Sequence, residues 1–318
     1  MASGRQQVGL KFKQFDYVTD FSDHFYHLRA MSKKSNVNDG KVHNKNSVNR
    51  IMKEWEILEK HLPESIFVRV YEGRIDLLRA AIIGAEKTPY HHGLFFFDIL
   101  FPSDYPNKPP KVRYHSFGLR LNPNLYGDGF VCLSLLNTWV GHETEMWDPL
   151  NSTILQVLLS LQGLVLNEKP YYNEPGAKPA WSWENYNADV FTLSCKTMLF
   201  LLQNPLRNFE AIIAAHFREH GGTILRACIA YRECRVCIGF FNGDDSTTPS
   251  SKKKIRISKK FKNSMDELYP KLFEAFNGIG APLQNLPEKL VNDIDIQQKP
   301  GKGIISRLKT FWEAIMSY

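Results

Sequence analysis

Between residues 65 and 116 the chain passes through four strand-like runs with very little chain between them. "SIFVRVYE" and "RIDLLRAAIIGA" meet at Glu72-Gly73, a hairpin signal, and "GLFFFDILFP" and the shorter "KPPKVRYHS" follow. Parallel neighbours need a crossover of about a dozen residues or more, usually a helix. These connections are too short for that, so the four runs predict an antiparallel meander.

Helical patterns flank the meander rather than interrupt it. "NRIMKEWEILEKHLP" puts Ile51, Trp55 and Leu58 on one face, with Asn49 as the expected N-cap and Pro63 as the stop. "STILQVLLSLQGLVL" reads as a helix capped by Ser152. Helices are expected near 187–203, 206–220 and 223–236, broken by Asn204-Pro205 and Gly221-Gly222. "KNSMDELYPKLFEAF", interrupted by Pro270, and "GIISRLKTFWEAIMSY" are short amphipathic candidates. Strands grouped together and helices outside them specify the α+β class.

The expected organisation has four parts. Residues 1–49 hold an aromatic-rich piece, "FKQFDYVTDFSDHFYH", and a polar linker; the piece is too short to fold alone and is expected to dock on the main domain. Residues 50–204 are the main domain, 205–240 a helical extension packed on it, and 241–318 a basic linker with short amphipathic helices.

The formal charge of +7 is local, because residues 251–262, "SKKKIRISKKFK", contribute seven Lys or Arg and no acid. Without them 33 basic residues face 33 acidic ones, so the globular part is not a nucleic-acid binder by composition. The basic run reads as a solvated tail, with nuclear targeting or an acidic partner as the alternative. No apolar leader opens the chain and no run reaches the ~18 apolar residues of a membrane span. Five cysteines without a pairing pattern then predict reduced thiols in a cytoplasmic or nuclear setting.

One cysteine stands apart. In "LRLNPNLYGDGFVCLSLLNTW", Cys132 follows Asn124 by eight positions, within a stretch from 116 to 150 that has no regular periodicity. A long ordered loop inside a compact domain is usually functional. On its own Cys132 could be a core residue, a metal ligand or a nucleophile.

"FPSDYPNKPPKVRYHS", then Pro-Asn, then a cysteine eight residues beyond the asparagine, resembles the ubiquitin-conjugating enzyme family from about Arg50 to Asn204. "YEGRIDLLRAAIIG", "LNPNLYGDGFVCLSLLNTW" and "YYNEPG" resemble its branch of large enzymes with extensions, the hybrid conjugase-ligases and plant phosphate-homeostasis relatives. The resemblance implies the ubiquitin-conjugating fold, with Cys132 accepting ubiquitin as a thioester from the activating enzyme and passing it to substrate lysines. It implies no metal or organic cofactor, since ATP is spent by the activating enzyme. The implied partners are ubiquitin, the activating enzyme, protein substrates and a ubiquitin ligase, unless the chain is itself a hybrid conjugase-ligase. Asn124 matches the asparagine of the family's His-Pro-Asn motif, credited with supporting the oxyanion or the loop. Here the histidine is replaced by Asn122.

The chemistry of the residues agrees with this. A thiolate is both a good nucleophile and a good leaving group, and a side-chain amide can donate to an oxyanion. No histidine base is evident beside Cys132, which suits a carrier of acyl groups better than a hydrolase.

Other features have two readings each. "DYPNKPP" is a stiff turn and, by resemblance, part of a ligase-docking surface, although Asn107 stands where many relatives carry an aromatic residue. Trp147-Asp148-Pro149 resembles the second docking loop but follows Cys132 by fifteen residues, leaving an insertion from Val140 to Met146. Arg50, Lys53 and Lys60 either dock the activating enzyme or form a solvated helix face. Glu168 and Glu174 are candidates for the family's lysine-orienting acid. His216, His220, Cys228, Cys234 and Cys237 invite a zinc reading, but a single Cys-x-x-Cys on a helical period favours buried thiols. The rival to a transferase is a ubiquitin-binding scaffold without turnover.

Overall fold

The computed structural model describes residues 12–32, 44–177, 183–243, 257–283 and 286. Its sheet has five strands in chain order: β1 (Phe15–Val18), β2 (Ile66–Tyr71), β3 (Arg74–Ile83), β4 (Leu94–Leu100) and β5 (Lys111–Tyr114). Strands β2 to β5 form the expected antiparallel meander. The aromatic-rich N-terminal piece supplies β1, which adds to the edge parallel to β2 with Phe15 opposite Val68. Its parallel direction is permitted because the intervening chain holds two helices, α1 (Phe25–Ser32) and α2 (Lys45–His61).

The two faces of the sheet are buried differently. Val68, Val70, Leu78, Ala80, Phe97 and Ile99 point to one side, where Ile51, Trp55 and Leu58 of α2 and Val157 and Leu158 of α3 (Ile154–Ser160) close the main core. Each of the Val, Leu, Ile and Phe side chains among these contributes about 1.5–3 kcal/mol by leaving water. On the opposite face Arg69, Arg79, Asp98 and Arg113 stand in register across four strands. Arg79 and Asp98 are fully buried and joined by two hydrogen bonds, Nε to Oδ1 at 2.6 Å and Nη2 to Oδ2 at 3.0 Å. The N-terminal piece completes this cluster. Asp23 accepts from Arg79 Nη1 at 2.9 Å, and the Phe25 N–H donates to Asp98 at 2.7 Å. The piece is therefore held by charge as well as by β1.

Beyond α3 the chain makes a π-helical turn, Leu161–Val165, and then three long helices: α4 (Trp183–Gln203), α5 (Glu210–Arg232) and α6 (Lys259–Gly278). Several expected boundaries move. The cap of α2 is Asn44, whose side chain accepts from the Ser47 N–H, so Asn49 lies within the helix. Thr153 caps α3 with a reciprocal bond to Gln156, while the Ser152 hydroxyl instead accepts from the Asp148 N–H. Gly221-Gly222 does not break α5. A Cβ at Gly221 would stand 2.9 Å from the Phe276 ring and one at Gly222 3.2 Å from the Pro282 carbonyl, so both glycines are there for close packing. Pro270 does not interrupt α6 either. The carbonyl it leaves without a donor belongs to Asp266, an exposed residue, where water can serve.

Helix α6 buries Phe261, Met265, Leu268, Tyr269, Leu272 and Phe276, and packs on α4 and α5. The described residues up to Pro282 form one compact unit. The candidate helix at 303–318 and the first half of the basic run lie outside the described residues. Among the described residues no helix is long and apolar enough to cross a membrane.

Candidate active site

The segment from Leu121 to Val131 folds back on itself, with bridges from Asn122 to Leu125 and from Leu125 to Val131. Its centre is Asn122, which is buried and saturated. Asn122 Oδ1 accepts from the N–H groups of Asn124 at 2.8 Å and Leu125 at 3.0 Å. Its Nδ2 donates to the Tyr90 hydroxyl at 2.9 Å and the Val165 carbonyl at 3.0 Å. Asn122, at the position of the motif's histidine, thus braces the segment with four side-chain hydrogen bonds.

That brace sets Asn124 against Cys132. The Cys132 N–H donates to the Asn124 carbonyl at 2.9 Å, and Asn124 Nδ2 donates to the Cys132 carbonyl at 3.1 Å. The second Nδ2 hydrogen is left for another acceptor, and Asn124 Oδ1 is buried without a partner among the described residues.

Cys132 itself is only 5% exposed. Burial pushes its thiol up; a hydrogen bond with the Tyr126 hydroxyl and the charge of Arg120 pull it down, and Glu174 pushes it up again. Sequence reasoning missed Tyr126 and Arg120. Tyr126 stands two residues after Asn124 on the same folded segment, and Arg120 lays its guanidinium 4.7 Å from the Tyr126 ring centroid. Arg120 also reaches Glu174 at 3.9 Å. The two candidate acids differ: the charge of Glu174 acts on the thiol, whereas Glu168 pairs with Lys169 at 3.5 Å and gives its carbonyl to Asn187. Such a thiol, with a hydroxyl to support its anion, an amide nearby and a carboxylate at the mouth, suits acyl relay to an amine.

The flanking features fall out as follows. Trp147 Nε1 donates to the Pro106 carbonyl at 2.7 Å, which ties the second loop to "DYPNKPP" and leaves Asn107 exposed. The insertion forms a 3-10 turn at Glu143–Glu145, and Val140 at its start is 92% exposed. Lys53 and Lys60 are exposed on α2, but Arg50 turns inward to the Ser152 carbonyl at 2.7 Å and to Glu54 at 3.1 Å. Of the residues of the zinc reading, His216 and His220 pack ring to ring, with centroids 4.6 Å apart. His216 donates to the His92 carbonyl, Cys228 lies against Cys195, and among the described residues no three His, Cys, Asp or Glu are grouped to hold a metal.

The profile of the family described as "Ubiquitin-conjugating enzyme" matches residues 50–197. "Probable ubiquitin-conjugating enzyme E2 24" of Arabidopsis thaliana is 47% identical over 289 residues, 88% of this chain and 30% of that protein. "Putative ubiquitin-conjugating enzyme E2 38" of the same plant is 44% identical over 307 residues, 94% of this chain and 91% of its own length. The human "Dual E2 ubiquitin-conjugating enzyme/E3 ubiquitin-protein ligase BIRC6" is 38% identical over 238 residues, 69% of this chain and 5% of that protein. The chain spans only 24–37% of the length of three of the plant relatives it matches.

Proposed function

The chain belongs to the ubiquitin-conjugating enzyme family, and from that premise we propose that it is a ubiquitin transferase whose acceptor is Cys132 and whose catalytic domain is residues 50–204. The observation that carries this reading is the reciprocal bonding of Asn124 and Cys132 beside the Tyr126 hydroxyl and Glu174. In the first step the Cys132 sulfur attacks the ubiquitin carbonyl carbon held on the activating enzyme, and the enzyme's own thiolate leaves. In the second a lysine amine attacks that carbon on Cys132, an oxyanion forms, and the carbon–sulfur bond breaks. Tyr126 supports the departing thiolate, Asn124 offers its second amide hydrogen to the oxyanion, and Glu174 attracts the lysine and the proton it sheds.

The partners in this reading are ubiquitin, the activating enzyme and protein substrates. Lys53 and Lys60 are the basic positions of α2 left free to meet the activating enzyme. Transfer without a separate ligase is the second reading, favoured by exposed Asn107 in the usual docking loop and by a relative whose name joins both activities. A cytoplasmic distribution, with nuclear access through residues 251–262, belongs to the same proposal and is checked by imaging a tagged chain with and without that run.

The test is incubation with activating enzyme, ubiquitin and ATP, read on a nonreducing gel. A thiol-sensitive adduct one ubiquitin heavier supports the transferase. Ubiquitin binding without an adduct supports the scaffold instead. Substrate modification in the absence of any ligase separates the two transferase readings.

A further inference from the structure

A groove of about 510 Å³ opens beside the candidate active site, walled by the 120–123 segment, the 3-10 turn Pro170–Asn173 with Glu174, and the helices α4 and α6. Its near end is fixed by Arg120 and Glu174, the two charges that act on Cys132. The Tyr186 ring packs 5.7 Å from that of Tyr171 in the 3-10 turn just before Glu174, so Tyr186 marks that end of α4. The rest of the wall mixes apolar Leu121, Pro123, Val190 and Leu193 with charge.

The charges do not balance. Of the two groove carboxylates, Glu174 is engaged by Arg120 at 3.9 Å and Asp189 by Lys260 at 3.0 Å. The third cation, Lys196, is half-buried on α4 and has no carboxylate partner among the described residues. Desolvating an ammonium without a counter-charge is unfavourable, so an incoming carboxylate at Lys196 gains more there than on an open surface.

We propose that this groove binds the acidic flank of the substrate segment that delivers the acceptor lysine, with Lys196 as the residue that reads the acid. The inference rests on the transferase reading above and adds a specificity to it. The spacing follows from the helix. Tyr186 and Lys196 are ten residues apart on α4, about 15 Å at ~1.5 Å per residue. Extended peptide covers that in about four to five residues at ~3.3 Å each. The favoured substrate therefore carries Asp or Glu about four residues from its lysine.

The experiment charges the full chain with ubiquitin and chases it with synthetic peptides of one lysine. The residue four positions away on either side is Glu, Gln or Arg. Discharge to free lysine in each variant is the reference for the ratios, and melting temperature is the folding control. The Glu peptide is expected to react roughly three- to five-fold faster than the Gln peptide at low salt, the upper end of the range for a partly solvated ion pair. High salt should shrink that ratio. Lys196→Ala should abolish the ratio, and Lys196→Glu should reverse it in favour of the Arg peptide. A charged protein that treats the peptides alike, or keeps its preference in Lys196→Ala, overturns the groove assignment alone. A chain that never charges overturns the transferase reading and the groove assignment with it.

Discussion

Asn124 and Cys132 hold each other through one main-chain and one side-chain bond, the Cys132 N–H on the Asn124 carbonyl and Asn124 Nδ2 on the Cys132 carbonyl, at 2.9 and 3.1 Å. The amide nitrogen is therefore already aimed at the residue on which the oxyanion would form, with one hydrogen to spare. Asn124→Ala should charge nearly normally, because the activating enzyme supplies much of that site. Its discharge to lysine should fall by roughly 10²–10³, the usual loss for one oxyanion donor. Single-turnover discharge of preloaded protein measures it, and normal discharge would leave Asn124 only its bond to the Cys132 carbonyl.

Asn122 should behave differently. Asn122→Ala takes the side-chain partner from the Tyr90 hydroxyl and the Asn124 N–H, while the Leu125 N–H keeps the main-chain carbonyl of residue 122 at 3.2 Å and the Val165 carbonyl keeps Asn173 Nδ2 at 3.2 Å. Unsatisfied buried groups cost about 1–3 kcal/mol each before water or local movement relieves them. The variant should lose about 2–4 kcal/mol in denaturant unfolding and lose discharge activity together with it. A stable variant with a selective discharge defect would contradict the bracing role.

Helix α6 should be needed for the fold of the described unit. Ending the chain at residue 240 uncovers the faces of α4 and α5 on which Phe261, Leu268, Leu272 and Phe276 are buried. A loss of several kcal/mol would lower the melting temperature by about 10 °C or more. Gly221→Ala probes the same contact with one methyl group. Helix propensity alone would stabilise it by about 1 kcal/mol, but a Cβ 2.9 Å from the Phe276 ring should reverse the sign, to a net loss of about 1 kcal/mol. An unchanged or higher melting temperature would contradict the packing account.

Stability should fall on mild acidification. Burial pushes His91 and His216 down to about 4 and His92 to about 3, and lowers His220. His91 donates to the Thr88 carbonyl and accepts from the Tyr231 hydroxyl, an arrangement that requires the neutral ring. Between the ordinary histidine value near 6.5 and these folded values the unfolded chain binds more protons, so stability rises with pH across that window. Glu54, whose buried carboxyl is pushed up, works in the opposite direction, but it is one group against five, since burial lowers His24 as well. Melting temperatures from pH 7 down to 5 should decline steadily, and His91→Gln should flatten the slope. A flat profile in the unmodified chain would contradict the burial of the imidazoles.

The meander and the Asn124–Cys132 spacing were legible because period-two runs and short connections leave few alternatives. The fifth strand was not, since four residues of "FDYV" carry too little pattern and gain their meaning only from β2. Gly221-Gly222 and Pro270 misled for a shared reason. Local propensity disfavours both inside a helix, but the close approach of Phe276 and the exposed turn at Asp266 outweigh it. Tyr126 was readable in principle as the residue two beyond Asn124 on a turn. Arg120 and the choice of Glu174 over Glu168 depend on how the 170–177 segment folds back, which no spacing encodes.

The central claim is that Cys132 carries ubiquitin. With activating enzyme, ubiquitin and ATP, the unmodified chain should form an adduct that thiol reductant removes. Cys132→Ser should form one that resists reductant and yields to alkali, because an alkoxide leaves less readily than a thiolate. Cys132→Ala should form none, while Cys195→Ala, changed at a fully buried thiol between helices, should still charge. A reductant-sensitive adduct that survives in Cys132→Ala would contradict the account at its centre.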